Sequence, residues 1–376
     1  MSKPDDHIHP HSLSLPSGRI QFPVFMPDAT LGFVRTVDSH DLESCQIEAV
    51  VMNTFHLMQK PGSTTIRSLG GLHQMSHWPR PIITDSGGFQ AYSLIRQNPK
   101  MGSLHEDGLT FFPEGSQHRL TLTPEKCVQL QLAYQSDIVI CLDDCTHVDA
   151  SEEEQKRSIQ RTIEWARRGK QTYEQITRQK KSTNGQNPLL FAVIQGGGIP
   201  ELRKRCALSL LEIGFDGFGF GGWPLDNQGK LITDILAYTR ELIPPEYPIH
   251  ALGIGHPENL LTCYDLGYGI FDCAMPTRDA RHGRLYTFTN PPEGAHAGLN
   301  DKWLKYLYID DEKHIRQNQP ISPFCDCAAC VQYSLGFLRH LFKTNDSLFL
   351  RLATIHNLRF MTQLTERIRQ CAHDSI

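Results

Sequence analysis

The residues of this chain that could do chemistry fall at the ends of short apolar runs: Asp85, Asp143, Gln195, the pair Gly221-Gly222, and Gly253. Asp272 lies inside a further run, Ile270 to Met275. A carboxylate can move a proton, attack an electrophilic carbon or accept hydrogen bonds from a donor-rich ligand edge. One acid at a strand end usually only caps the next helix. Three acids with a glutamine and Gly-Gly turns exceed what capping needs. After Asp272 the run is expected to break at Pro276 into an arginine-bearing loop, with Arg278, Arg281 and Arg284 available for phosphates. A second constellation, Cys325-x-Cys327-x2-Cys330 with His356, supplies three thiolates and an imidazole. That is a tetrahedral Cys3His set for Zn2+, closed by four protein ligands and therefore structural.

The elements that would position these groups follow from periodicity. Eight apolar runs alternate with longer stretches of helical period: Pro23 to Pro27, Ala49 to Asn53, Pro81 to Asp85, Asp137 to Asp143, Leu189 to Gln195, Gly217 to Gly222, Ile249 to Gly255 and Ile270 to Met275. Thr123-Pro124-Glu125 and Pro200-Glu201 read as helix starts between them. Eight alternating units predict an α/β fold, a parallel (β/α)8 TIM barrel, whose strand ends would gather residues almost 200 positions apart into one pocket. Residues 1–22 are predicted to form an N-terminal hairpin capping the barrel, with Pro16-Ser17-Gly18 as its turn, and residues 23–290 the catalytic barrel. Residues 291–376, after Asn290-Pro291-Pro292, form a zinc-binding helical subdomain packed on it: Leu335, Leu338 and Leu341 mark one helix, Leu348, Leu352, Ile355, Leu358 and Met361 another.

Composition narrows the class. The 376 residues are 39% hydrophobic, enough for a large core. No run approaches the roughly 20 apolar residues of a membrane helix, so a cytoplasmic protein with no membrane partner is expected. Eleven cysteines, an odd number and mostly isolated, argue against a disulfide framework. With 37 Lys+Arg against 41 Asp+Glu, a nucleic-acid contact would need a local basic patch. Asp85-Ser86-Gly87-Gly88 also resembles the surroundings of a serine-hydrolase nucleophile, but at the end of a strand in an alternating βα chain its glycines serve better to free backbone N–H groups for a ligand.

With these pieces placed, the chain resembles the tRNA-guanine transglycosylases (queuine tRNA-ribosyltransferases) of bacterial type. The resemblance runs from Phe25-Met26-Pro27 through Asn53-Thr54-Phe55-His56-Leu57, Thr84 to Gln90, Leu142-Asp143-Asp144-Cys145, Val193 to Gly197, Gly221-Gly222, Gly253-Ile254-Gly255 and Phe271-Asp272-Cys273 to the cysteine cluster and His356. It implies exchange of a tRNA wobble-position guanine, in a U-G-U context, for a 7-deazaguanine (queuine or preQ1). By matching position it implies Asp272 as nucleophile and Asp85 as proton acceptor. Ser86, Gly87, Gly88, Phe89, Asp143, Gln195 and Gly222 would bind the base. Gly253, Ile254, Gly255, His256, Pro257, Glu258 and Asn259, with Thr277, Arg278, Asp279, Ala280 and Arg281, would form the RNA-binding segments. Zinc on Cys325, Cys327, Cys330 and His356 and a homodimer are implied as well. The family's accessory subunit keeps the zinc site but lacks catalytic acids, whereas Asp85 and Asp272 are both present here. After Gly222 the family pattern is not matched. Trp223-Pro224-Leu225-Asp226-Asn227 replaces a loop in which a glutamate is expected where Asn227 stands, and a pocket rebuilt there would use queuine at least as well as preQ1.

Overall fold

The computed structural model describes residues 10–112, 119–147, 150–179, 185–290 and 302–373. All eight apolar runs become strands: β1 (Val24–Pro27), β2 (Val50–Asn53), β3 (Ile82–Asp85), β4 (Ile138–Ile140), β5 (Leu189–Ile194), β6 (Gly217–Phe220), β7 (Ile249–Ala251) and β8 (Ile270–Cys273). They form one parallel sheet in the order β1-β8-β7-β6-β5-β4-β3-β2. The sheet closes on itself through a parallel bridge between Asp28 and Val51, where the Ala29 N–H donates to the Val51 carbonyl at 2.7 Å. The architecture is the expected (β/α)8 barrel.

Side chains alternate across each strand, so one set of positions fills the barrel. Val24, Met26, Val51, Ile83, Ile138, Ile140, Phe191, Val193 and Ile270 pack together inside it. β6 contributes no bulk to this layer. A Cβ on Gly217 would lie 2.4 Å from the Phe191 ring, and one on Gly221 2.5 Å from both Val193 and the Gln195 amide. Phe218 and Phe220, between the glycines, join a second core cluster, which includes helical residues Leu202, Cys206, Leu236 and Leu260.

The N-terminal hairpin pairs Ser12–Leu15 with Gly18–Gln21. Leu15, Ile20 and Phe22 join the interior cluster, so the hairpin plugs the end of the barrel at which the strands begin. Asp137, just before β4, holds it there: one carboxylate oxygen accepts from the Ser17 N–H at 2.7 Å and the other from the Ile82 N–H at 2.8 Å.

Two features depart from simple alternation. Between β3 and β4 an antiparallel sheet of Gly102–His105, Gly108–Phe111 and Leu120–Leu122 is inserted. The helices beside β1 and β8, Ser39–Ser44 and Met275–Arg281, have only six and seven residues. The C-terminal helix, Ser347–His373, supplies the missing cover, packing on β1, on Met275–Arg281 and on Pro257–Asp265. Polar groups fix its docking. Asp41 takes both Nε and Nη2 of Arg351 at 2.8 Å, and Asn357 donates to the carbonyls of Pro276 and Arg284 at 2.9 and 3.0 Å. The strand Arg284–Phe288 pairs with Leu304–Tyr308, so a single ladder spans residue 290; the Pro291-Pro292 step lies outside the described residues. Among the described residues, no helix is long and apolar enough to cross a membrane.

Candidate active site and metal centre

Parity decides what reaches the open end of the barrel. Asp85 lies two residues beyond Ile83, Gln195 two beyond Val193 and Asp272 two beyond Ile270, so each continues the inward-facing row past its apolar layer. With Asp143 from the segment after β4 and Gly221-Gly222 after β6, Asp85 and Asp272 line a cavity of about 380 Å³. Gln195 stands at its wall, bonded to Asp143. Ser86, Gly87, Phe89, Gly222 and Gly253 also line it, and Gly88, beside them, opens the helix Gly88–Gln97.

The acids are differently held. Asp85 accepts from the Asn53 amide at 2.7 Å and from the Gly87 N–H at 3.0 Å. Burial nevertheless pushes its carboxyl up to about 8, and the neighbouring Asp272 charge adds to the rise. Asp143 accepts from the Gln195 amide at 2.7 Å and the Ser86 hydroxyl at 3.3 Å. Burial pushes it up to about 6, with the Asp144 charge adding. Asp272 receives the Gly253 N–H at 2.9 Å and stands 2.8 Å from the His250 imidazole, both on Oδ1. Gln195 Oε1 is buried without a partner among the described residues, an acceptor left for a ligand. One pocket therefore combines a carboxyl that keeps its proton at neutral pH, a fixed carboxylate, and a carboxylate-amide edge suited to a donor-acceptor face.

Ser86 donates to Asp143 and accepts from the Gly88 N–H at 3.2 Å, and it stands in a parallel α/β barrel; the serine-hydrolase reading is excluded. The expected loop after Pro276 is a correction too. Met275–Arg281 is a helix, because proline in the first turn lacks an N–H that the helix would leave unpaired anyway. On that helix Arg278 is exposed, Arg281 is half-buried, and Thr277 and Ala280 are buried. Asp279 takes Arg284 at 3.1 Å and the Tyr286 hydroxyl at 2.5 Å, and Arg284 also covers the Tyr306 ring, so Arg284 is already engaged. Ile254, Gly255 and Pro257 are buried, Asn259 is half-buried, and Gly253 and Glu258 are exposed. His256 precedes the helix Pro257–Asp265 and bonds the Tyr306 hydroxyl at 2.7 Å.

Sequence reasoning did not single out Asn53 and His250 as site residues. Asn53 ends an apolar run as Asp85 does, and His250 stands two residues before Leu252, which packs on the barrel interior; run ends and parity would have found both.

The ligand atoms of Cys325, Cys327, Cys330 and His356 all lie within 4.8 Å of one another. His356 Nε2 donates to the Tyr286 carbonyl at 2.8 Å, which turns the Nδ1 lone pair toward the sulfurs of Cys330 and Cys327, at 3.3 and 3.6 Å. Hydrogen bonds from Cys325 and then Cys330 hold Cys327 below the ordinary thiol range, the direction a ligating thiolate requires. The donors fit a metal ion.

A family model described as queuine tRNA-ribosyltransferase matches residues 11–374. A protein of that name from Thermoanaerobacter pseudethanolicus is 36% identical over 360 residues, covering 95% of this chain and 88% of the relative. Namesakes from Psychrobacter cryohalolentis and Francisella tularensis subsp. holarctica are 36% and 38% identical, each over 95% of this chain and over 88% and 90% of their own lengths. Coverage of this extent, on a barrel whose mouth gathers the expected acids, makes the chain a member of the queuine tRNA-ribosyltransferase family.

Proposed function

We propose that this protein exchanges the wobble-position guanine of tRNA, in a U-G-U context in the cytoplasm, for a 7-deazaguanine through a glycosyl-aspartate intermediate. The observation that carries this is the pair of carboxyls from β3 and β8 in one cavity, one of them raised to about 8. Asp272 attacks C1′ as the bond to guanine breaks, and the departing ring nitrogen takes the proton of Asp85. Asp85 recovers a proton from the incoming base as its nitrogen displaces Asp272 from C1′. Asp143, Gln195 and the Gly222 N–H read the purine edge, whose N1 and N2 donate and whose O6 accepts. A stacked base cannot enter such a pocket, so the nucleotide is flipped out, with exposed Arg278 and half-buried Arg281 near its phosphates.

Asp272→Asn should fold but form no denaturation-resistant adduct with tRNA; a normal adduct yield would overturn the assignment. Asp85→Asn should bind tRNA and lose turnover. The two raised carboxyls also set a pH window. Adduct formation needs protonated Asp85 and should fall as pH rises through about 8, while base binding needs ionised Asp143 and should fall as pH drops through about 6. A profile flat from pH 5 to 9 contradicts both assignments.

The metal is zinc, because three thiolates and one imidazole form a soft tetrahedral set. Four protein ligands leave no open position, and the ion would contribute folding energy to the C-terminal region rather than act on substrate. Purified protein should contain about one zinc per chain, and Cys327→Ala should lose metal and soluble yield together; zinc retained in Cys327→Ala/His356→Ala would count against the site.

A second copy of the chain is the partner that two exposed aromatic patches favour. Phe33 is 55% exposed at the rim of an apolar hollow of about 800 Å³, and Phe337, 40% exposed, stacks on Tyr333 at 5.4 Å. Sedimentation should give a dimer that Phe337→Glu weakens; a monomer at micromolar concentration removes the proposal.

The loop after β6 bears on which base enters. Asp226 does not line the cavity: its Oδ1 accepts the N–H groups of Gln228 and Lys230, both at 2.9 Å, within a turn closed by Leu225 and Leu231. Asn227 is exposed and also absent from the lining, to which this loop contributes Trp223, Pro224 and Leu225. Trp223, 43% exposed, lies 5.6 Å from the Phe89 ring and forms an aromatic wall that the cyclopentenediol of queuine can cover and preQ1 cannot. Queuine should therefore be used at least as well as preQ1. A hundredfold advantage for preQ1 in kcat/KM, about 2.7 kcal/mol of transition-state binding, would refute this.

A further inference from the structure

His250 belongs to β7 yet meets no ligand-reading group; its only described side-chain partner is the carboxylate of the neighbouring strand. It is 1% exposed, and its Nε2 lies 2.8 Å from Asp272 Oδ1. The Gly253 N–H donates to that same oxygen at 2.9 Å. The other ring nitrogen, Nδ1, is buried with no partner among the described residues. A proton on Nδ1 would be buried without an acceptor, whereas a proton on Nε2 has one at hydrogen-bond distance. The tautomer is therefore assigned with Nε2–H donating to Asp272. Two donors thus converge on Oδ1, and no described hydrogen bond ends on Oδ2.

We propose that His250 is a positioning residue that, with the Gly253 N–H, holds Asp272 by Oδ1 so that Oδ2 is the oxygen that attacks C1′. This rests on the reading of Asp272 as nucleophile. Asp272 stands one residue from the end of β8, and a carboxylate on a short side chain can turn its oxygens about χ2 unless something holds one of them. A rigid inner strand supplies that hold. As the Oδ2–C1′ bond forms and the C1′–N bond breaks, Oδ1 becomes the ester carbonyl and keeps both hydrogen bonds. When the incoming base bonds to C1′, the electron pair of the Oδ2–C1′ bond returns to the carboxylate, and the two donors stabilise the charge that reappears on Oδ1. The imidazole proton does not leave Nε2 at any step. The donor therefore acts on both half-reactions without taking part in proton transfer, which remains with Asp85.

The geometry separates this role from mere packing, because only one ring atom matters. The amide nitrogen of a glutamine reaches about as far as Nε2, whereas that of an asparagine stops near the position of Nδ1. Single-turnover formation of the denaturation-resistant adduct is measured for the wild type, His250→Phe, His250→Gln, His250→Asn and, as control, Asp272→Asn, together with tRNA affinity and Tm. His250→Phe and His250→Asn should slow adduct formation about a hundredfold while tRNA affinity stays within about twofold, and His250→Gln should return to within about tenfold of the wild type. A wild-type rate in His250→Phe overturns the proposal, as does equal rescue by asparagine and glutamine. If the phenylalanine variant does not fold, the comparison of asparagine with glutamine decides alone. An adduct formed at the normal rate by Asp272→Asn would instead remove the nucleophile assignment, a result distinguishable from failure at His250.

Discussion

The strict alternation of side chains along eight parallel strands in a closed barrel is the constraint on which the rest of this structure depends. Once Val24, Met26, Ile83, Val193 and Ile270 are committed to the interior, Asp85, Gln195 and Asp272 must face inward as well, because each lies an even number of residues further along its strand. The interior is filled from the end where the strands begin, by the hairpin residues Leu15, Ile20 and Phe22, and left open at the other. β6 gives up side chains on its inner face, and the space is taken by Phe191, Leu252 and the Gln195 amide. A single bulky residue at Gly221 would displace the amide that steadies Asp143.

Gathering three acids in one cavity is electrostatically costly, and the site offsets the cost with fixed donors rather than with cations. Asn53 and the Gly87 N–H serve Asp85, Gln195 and Ser86 serve Asp143, and His250 and the Gly253 N–H serve Asp272. Neutral donors stabilise a carboxylate less than an arginine would. That leaves Asp85 and Asp143 raised to about 8 and about 6, and it separates the protonation of groups that must play different parts. An arginine paired with Asp85 would pull its proton off and remove the acid. Buried Arg203, beside Gly222, is spent instead on the carbonyls of Gly197 and Ile194.

The C-terminal region solves a packing problem as well as holding a metal set. The helices that follow β1 and β8 are too short to cover them, and Ser347–His373 lies over both the strand and the short helices. The same helix carries His356 into the cysteine cluster and Asn357 onto the backbone at Pro276 and Arg284. Folding of the metal site and closure of the barrel wall are thereby joined in one element.

The eight apolar runs, their order, the hairpin turn and the Cys-x-Cys-x2-Cys spacing were legible in the sequence, because burial and metal ligation constrain residue type at fixed local intervals. The acids at run ends were legible for the same reason: the architecture brings strand ends together whatever the connecting lengths. Local pattern misled at Pro276, where proline reads as a break but opens a helix. It was silent on the sheet inserted between β3 and β4, whose strands Gly102–His105, Gly108–Phe111 and Leu120–Leu122 lack the continuous apolar run of the barrel strands. Only the tertiary structure decided which groups pair across strands: that Asp226 turns onto its own loop, that Arg284 is taken by Asp279, and that His250 meets Asp272. Those outcomes depend on register between strands and on the rotation of side chains about Cα, and a one-dimensional pattern fixes neither.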